Sequence, residues 1–212
     1  MQVEETKKLI RAERDFFRQS PLDCARQLVG AYLEWEGFFA RIVETEAYAA
    51  VGDPACHTFS RPSARAFVAT HPPGAAYVYF NYGFYWMFNL LVRGDKGDGF
   101  VLFRGLELVR TPAALTHLLD DPRACAGPGK LARTLRIDRS HHGLDICLQY
   151  DKAIYFSSSG GEQQDVQVSV GPRVGISRAT DLPWRFGLKG SAALSKPFPN
   201  TTKLKTNSKK GK

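Results

Sequence analysis

Cysteine, methionine and long apolar runs are scarce in this chain. Its 212 residues include four cysteines and two methionines. No two cysteines are spaced as Cys-x-x-Cys, and the adjacent Cys56 and His57 are poorly spaced to bind one metal ion together. We therefore expect buried free thiols, no metal and no disulfide framework.

Signals for a membrane or for export are also missing. No stretch reaches the ~20 apolar residues of a membrane-spanning helix, because arginine, glycine or asparagine interrupts the apolar runs. Residues 1–8 lack the apolar core of a signal peptide. These absences predict a soluble, intracellular protein with no membrane partner.

The phosphate-binding signatures of nucleotide cofactors do not occur. The spacing Gly-x-x-x-x-Gly-Lys-Ser/Thr is absent, and the glycines of residues 94–99 do not fit Gly-x-Gly-x-x-Gly. Residues 127–130, Gly-Pro-Gly-Lys, could offer backbone amides and a cation to a phosphate at a helix start. The glycine spacings therefore give little support to a nucleotide cofactor.

Positive charge is concentrated at the C-terminus. The net charge is +8, but residues 196–212 contain six lysines and no acid, which leaves +2 for the chain before them. We expect one domain over residues 1–195 and a flexible basic tail over residues 196–212. Such a tail attracts nucleic acid or is simply a solvated end.

Hydrophobic periodicity and turn residues predict a mixed α/β chain. Ser20-Pro21-Leu22-Asp23 is typical of a helix start, and Glu36-Gly37 predicts a hairpin of residues 31–34 and 38–45. Prolines and glycines predict a long loop over residues 49–75. The other expected elements are helices at residues 4–18, 112–119 and 131–135, strands at residues 77–80, 84–92, 100–104, 153–157, 166–170 and 174–176, and a mobile end from residue 190.

Two glutamates are the first candidates for chemistry. Glu44 and Glu46 would share one face of a strand, because residues two apart in a strand point the same way. One could be a general base and the other an acid or an orienting group. The alternative is a pair of surface glutamates that bind lysine or arginine, and local sequence alone favours it.

An aromatic run follows over residues 77–89, Tyr-Val-Tyr-Phe-Asn-Tyr-Gly-Phe-Tyr-Trp-Met-Phe-Asn. Most of these rings are expected in the core of ordinary strands. Tyr82 differs because it lies at the predicted turn beside Gly83. A ring at a turn is either an exposed accident or a wedge for a partner, as in proteins that open a DNA duplex.

Several ordered motifs closely resemble the alkyladenine, or 3-methyladenine, DNA glycosylase family. The resemblance extends over about residues 20–190. It is carried by residues 41–48 (Arg-Ile-Val-Glu-Thr-Glu-Ala-Tyr), 53–57 (Asp-Pro-Ala-Cys-His), 73–83, Asn89, 98–104, 127–131 and 173–176 (Arg-Val-Gly-Ile).

The resemblance implies an α+β single domain with a curved, largely antiparallel sheet, flanking helices and a protruding β-hairpin. It implies a monofunctional enzyme that flips a damaged purine out of double-stranded DNA and hydrolyses the N-glycosidic bond. Candidate lesions are alkylated adenine, hypoxanthine and ethenoadenine. The enzyme would be a monomer without metal or cofactor, located on the nucleoid in a bacterium or in the nucleus of a eukaryote.

The same resemblance implies roles for particular residues. Glu46 would be the general base that holds the attacking water, and Arg104 and the Val174 carbonyl would be that water's other partners. Tyr82 would fill the gap left in the duplex. The flipped base would be bound by Tyr48, His57 and Tyr79 as stacking walls and by Asn89, which would crowd the amine of guanine.

The sequence also departs from the family's usual pattern. Residues 61–66 keep only part of an Arg-Thr-x-Arg-Asn loop, Asn81 replaces an apolar residue, and Gly105 and Leu108 interrupt the run after Arg104. These changes concern lesion preference and DNA affinity more than the type of reaction. The alternatives are a non-catalytic or narrow-specificity binder of lesions or nucleic acid, and a hydrolase of free nucleosides.

Overall fold

The fold is α+β and is built on one curled, antiparallel sheet. The computed structural model describes residues 8–81, 83–158 and 166–199. Every strand pairing within these ranges is antiparallel, as predicted. The strands are β1 (Lys8–Arg11), β2 (Tyr32–Trp35), β3 (Phe38–Ala49), β4 (Ala76–Asn81), β5 (Tyr85–Val92), β6 (Gly99–Arg110), β7 (Lys152–Ser158), β8 (Val168–Gly171) and β9 (Arg185–Leu188).

The helices are short. The α-helices are α1 (Pro21–Leu28), α2 (His57–Ser60), α3 (Pro62–Thr70) and α4 (Pro128–Thr134), and 3₁₀ turns lie at Arg14–Phe17, Ala113–Asp120, Arg139–His141 and Ile146–Leu148. None of the helices in the described ranges is long and apolar enough to cross a membrane. The start of α1 is the one predicted: the Ser20 hydroxyl accepts the Asp23 N–H at 3.1 Å, and Pro21 begins the helix.

Strand β3 lies at the centre of the sheet and carries both glutamates. The strand order is β1-β7-β2-β3-β6-β5-β4, and β9 pairs with both β3 and β8. Glu44 faces Gly105 of β6 on one side and Gly187 of β9 on the other. The register between β3 and β6 shifts on either side of Glu44, which marks a bulge. Neighbours on both edges explain why neither glutamate has exposed surface.

Two hydrophobic clusters pack on the sheet. The larger contains Trp35, Phe88 and Phe103 with the apolar side of α1 and α4. The smaller contains Tyr77, Phe100 and residues of α3 such as Phe67. Residues that alternate along β4, β5 and β6 divide between the two clusters, as the period of a strand requires. The smaller cluster supports the wall of the cavity described below.

Both predicted hairpins are confirmed. Strands β2 and β3 join through Glu36-Gly37, and β4 and β5 pair from Ala76↔Leu90 to Asn81↔Tyr85. Gly37 has a φ of 86°, which its position in the turn requires. Tyr82 lies outside the described residues.

Three local predictions are wrong. Residues 8–11 form a strand that pairs with β7 instead of a helix, because the partner residues 155–158 are remote in sequence. The expected loop over residues 49–75 contains α2 and α3, and Pro62 begins a helix there. Residues 174–176 are a bend, and the strand in that part of the chain is β9.

The segment after β9 is packed, although a mobile end was expected from residue 190. Ala193 has no exposed surface, and the Ser195 hydroxyl donates a 2.7 Å hydrogen bond to Glu44. The ring centre of Phe198, a residue inside the expected tail, lies 3.9 Å from the guanidinium carbon of Arg185. Residues 200–212, which carry five of the six lysines of that tail, lie outside the described residues.

Gly105 gives a test of this packing. A β-carbon at Gly105 would lie 2.7 Å from the Ala193 carbonyl oxygen and 3.2 Å from the Glu44 side chain. We predict that Gly105→Ala lowers the free energy of unfolding by about 1–3 kcal/mol, because backbone must move to admit the methyl group. Chemical denaturation measures the change. Val109→Ala, at an exposed position of the same strand, is the control and should change stability by less than about 0.5 kcal/mol. An equal effect of the two substitutions would contradict the packing argument.

Candidate active site

A cavity of about 550 Å³ opens beside the middle of the sheet. Its walls come from β3 to β6, from α2 and from the bend that follows β8. Six of the predicted site residues line it: Tyr48, His57, Tyr79, Asn89, Arg104 and Val174. A cavity of this size accepts a planar ring system of two fused rings.

Glu46 lies directly behind the cavity wall. Its carboxylate has no exposed surface, yet three of the residues that line the cavity hold it. Oε1 accepts the Val174 N–H at 2.7 Å, and Oε2 accepts the Tyr48 hydroxyl at 2.8 Å and Nη1 of Arg104 at 3.3 Å. The carboxylate is therefore oriented from three directions, directly behind the residues that line the cavity.

Burial sets the acidity of Glu46. Loss of hydration raises the pKa of this carboxyl above its ordinary value, while Arg104, the Val174 amide and Tyr48 oppose the rise. The net direction is upward. A carboxylate with a raised pKa is a stronger base than an exposed one, which suits a group that must take a proton from water.

Arg104 is fixed by contacts on all of its nitrogens. Nε donates to Oε1 of Glu44 at 3.1 Å, Nη2 donates to the Ser195 hydroxyl at 3.1 Å, and Nη1 faces Glu46. Nη1 also lies 3.5 Å from the Val174 carbonyl oxygen. Burial lowers the pKa of Arg104, but attraction by Glu46 and Glu44 outweighs it, so this arginine remains charged.

A buried ion pair brings Val174 to the cavity. Arg173 binds Asp53 with two hydrogen bonds of 2.6 and 2.8 Å, and neither side chain is exposed. Arg173 also donates to the Ala47 carbonyl at 2.9 Å and lies 4.6 Å from the ring centre of Tyr48. One guanidinium therefore joins the bend at Val174, the loop before α2 and strand β3, which carries Glu46.

Aromatic rings form the side walls. The His57 ring centre lies 4.3 Å from that of Tyr79, with 61° between the planes, and Nδ1 of His57 is 3.1 Å from the Tyr77 hydroxyl. Burial, with a contribution from Arg61, lowers the pKa of His57 to about 4. Burial also raises the pKa of Tyr48 and of Tyr79. At neutral pH these rings are therefore uncharged.

Asn89 lies at the deep end of the cavity. Its side chain is buried, and Nδ2 donates to the Tyr77 carbonyl at 3.0 Å. That bond fixes the orientation of the amide, so the side chain presents a rigid edge to a ring in the cavity.

Sequence reasoning missed most of the supporting groups. It left Glu44 open as a surface residue, but Glu44 is buried. It gave no role to Asp53, Arg173 or Tyr77, although all three lie in the motifs quoted above. Arg185 and Ser195 were missed entirely, because β9 and the segment after it were not predicted.

The side chains around the cavity favour one kind of chemistry. Among the described residues that line it there is no lysine, the residue that forms Schiff bases with sugars. No group of three or more potential metal ligands occurs in the described ranges. Aromatic rings line the cavity, Arg104 is fixed in its wall, and the Glu46 carboxylate lies directly behind. This arrangement suits hydrolysis at a carbon attached to a planar base.

Comparison with known proteins agrees with the geometry. The model of the methylpurine-DNA glycosylase family matches residues 15–192. A protein of Bradyrhizobium diazoefficiens is 39% identical over 190 residues, which cover 88% of this chain and 92% of that protein. A protein of Rhodopseudomonas palustris is 42% identical over 189 residues, 88% of each chain. Both are named "Putative 3-methyladenine DNA glycosylase".

The match covers every residue that lines the cavity, from Tyr48 on β3 to Arg178 in the bend after β8. It confirms the family resemblance found in the motifs. The chain belongs to the methylpurine-DNA glycosylase family and is a DNA-repair glycosylase, a hydrolase of N-glycosyl bonds.

Proposed function

We propose that this protein flips a damaged purine out of duplex DNA into the 550 Å³ cavity and hydrolyses its N-glycosidic bond with a water activated by Glu46. The observation that carries the proposal is the buried Glu46 carboxylate, which is held by three residues that line the cavity, Val174, Tyr48 and Arg104. The proposed substrates are alkylated adenine and, in addition, hypoxanthine and ethenoadenine.

The flipped base binds between the rings of Tyr48, His57 and Tyr79. An alkylated purine can carry positive charge, and aromatic faces attract cations by about 0.5–2 kcal/mol. Asn89 crowds the exocyclic amine of guanine and so disfavours undamaged guanine. Because damaged pairs are easier to open, part of the selectivity arises before the base reaches the cavity.

The attacking water binds between Glu46, Nη1 of Arg104 and the Val174 carbonyl. Nη1 of Arg104 lies 3.3 Å from Oε2 of Glu46 and 3.5 Å from the Val174 carbonyl oxygen. These are the longest contacts around the carboxylate, and after a small movement a water could bridge them. Glu46 has no exposed surface. For the water to reach it, the side chains in front of the carboxylate move when the nucleotide binds.

In the chemical step the water oxygen forms a bond to C1′ of the sugar and Glu46 accepts the proton. The bond from C1′ to the base nitrogen breaks, and its electron pair leaves with the base. The ionised carboxylate also stabilises the positive charge that develops on the sugar. The product is an abasic site in an uncleaved strand, because no amine attacks C1′.

The DNA duplex is the proposed partner of a single protein molecule. Tyr82, which lies outside the described residues but between β4 and β5 in sequence, is proposed to fill the gap left by the flipped base. The relatives named above come from bacteria, so we propose action on the nucleoid in the cytoplasm.

Replacing the proposed base tests the chemistry. We predict that Glu46→Gln slows base release by about 10²–10⁴-fold, because the amide cannot take a proton from water, while lesion-duplex binding persists. Single-turnover base release from a duplex with one lesion, followed by alkaline cleavage of the abasic site, measures the rate. Glu34→Gln, at a partly exposed glutamate of β2 that does not line the cavity, is the control. A Glu46→Gln protein that turned over at the wild-type rate would remove Glu46 from its role.

The pH dependence follows from the direction of the Glu46 pKa. Glu46 must be ionised to act as a base, and burial raises its pKa above 4.5. The rate of base release should therefore fall as the pH drops through a value above 4.5. Tyr48→Phe removes a hydrogen bond that lowers this pKa. The acid limb of the pH–rate profile, where the rate falls at low pH, should therefore move to higher pH. A limb that Tyr48→Phe leaves in place would show that another group titrates.

The wedge can be tested by binding. We predict that Tyr82→Ala weakens binding to a lesion duplex by about 5- to 100-fold, the loss of one base–aromatic contact. Fluorescence anisotropy with a labelled duplex measures the dissociation constant. Tyr150→Ala, which removes a fully exposed ring that does not line the cavity, should have little effect. Equal dissociation constants for wild type and Tyr82→Ala would refute the wedge.

A further inference from the structure

A second buried carboxylate, Glu44, lies beside the proposed catalytic group but takes no part in the mechanism above. Oε1 of Glu44 lies 3.1 Å from Nε of Arg104, 2.7 Å from the Ser195 hydroxyl and 3.0 Å from Nε of Arg185. Oε2 accepts the Ser195 N–H. Glu44 does not line the cavity, and of the three residues that bind its carboxylate only Arg104 does, so Glu44 is linked to the cavity through Arg104.

The contacts of Glu44 determine where Arg104 points. A guanidinium is planar, so fixing two of its nitrogens fixes the third. Nε is bound by Glu44 and Nη2 by the Ser195 hydroxyl, which itself donates to Glu44. The remaining nitrogen, Nη1, is thereby directed at Glu46 and the Val174 carbonyl, where the water is proposed to bind.

Glu44 also balances charge around Glu46. Glu44, Glu46, Arg104 and Arg185 are each at most 5% exposed and together carry no net charge. Among the described residues, the charged or titratable groups that interact electrostatically with Glu46 are Arg104, Arg173, Arg185, Tyr48, Tyr79 and Glu44. Three of these six are cations, and one, Glu44, is a carboxylate.

We propose that Glu44 and Ser195 are positioning residues of the glycosylase reaction: together they direct Nη1 of Arg104 toward the water site. This inference rests on the proposed role of Glu46. It gives the segment after β9 a function in the reaction, beyond packing against the sheet.

That segment is clamped in place by Arg185. Nη2 of Arg185 donates to the Lys196 carbonyl at 2.6 Å and to the Pro197 carbonyl at 3.2 Å, and its guanidinium lies against the Phe198 ring. The same arginine forms the ion pair with Glu44. Ser195 is therefore held at the back of the site by the residues that follow it.

Kinetics of Glu44→Gln, Glu44→Asp and Ser195→Ala test the inference. For Glu44→Gln we expect kcat to fall about 10- to 100-fold with KM within about twofold, because a misaimed Arg104 affects the reaction more than binding. Its acid limb should move to lower pH, since removal of a negative neighbour makes Glu46 easier to ionise. Glu44→Asp keeps the charge and should leave the limb near its wild-type position.

Ser195→Ala removes one hydroxyl and no charge. We expect kcat to fall about 3- to 10-fold without movement of the acid limb, as the loss of one hydrogen bond requires. Glu107→Gln is the matched control, because Glu107 accepts a 2.6 Å hydrogen bond from Ser191 in the same segment but does not contact Arg104. Its kcat and pH profile should equal those of the wild type.

Circular dichroism and thermal unfolding establish that each variant is folded. A folded Glu44→Gln protein with wild-type kcat and an unmoved limb would overturn the inference, as would a limb that moved to higher pH. If Glu44→Gln does not fold, a wild-type kcat for Ser195→Ala overturns it and the predicted loss supports it.

The assay also separates this inference from the proposed function. If Glu46→Gln releases base as fast as the wild type, the proposed function fails whatever Glu44 does. If Glu46→Gln is inactive and Glu44→Gln is fully active, only the positioning role fails.

Discussion

The site depends on keeping a carboxylate charged inside the protein. Glu46 has no exposed surface, and moving an unpaired ion out of water costs several kcal/mol or more. The structure offsets this cost with Arg104, the Val174 amide and the Tyr48 hydroxyl. Burial still raises the pKa of Glu46 above its ordinary value, so the group keeps a high affinity for a proton. A water beside Glu46 would therefore contact a base whose proton affinity is not lowered by hydration.

The fold supplies these partners from distant parts of the chain. Tyr48 lies on the same strand as Glu46, Arg104 on the neighbouring strand β6, and Val174 on a bend that the Asp53–Arg173 pair holds in place. Contacts that join remote segments order the site only when the whole sheet has formed. The same arrangement explains why the segment after β9 packs against the sheet: its Ser195 is bound to both Glu44 and Arg104.

Sequence predicted the elements whose signals are local. The Ser20–Pro21 helix start and both hairpins have turn or capping residues next to the elements they define, and these predictions are confirmed. Strand β1 and strand β9 are four residues each and owe their conformation to partners far along the chain. Their sequences alone do not distinguish them from helix or loop. For the same reason the paired partners of Glu44, which come from β6, β9 and the following segment, could not be predicted.

The candidate site was predicted more fully than the fold around it, because its residues lie in short motifs. Tyr48, His57, Tyr79, Asn89, Arg104 and Val174 all line one cavity, with Glu46 directly behind. The most direct test of the central claim is a crystal structure with a duplex whose lesion nucleotide is replaced by a cationic pyrrolidine sugar analogue. We predict an ordered water within hydrogen-bond distance of Glu46, Arg104 and the Val174 carbonyl, in line with the analogue's C1′ position. A complex in which Glu46 stays sealed from the analogue and no water occupies that position would contradict it.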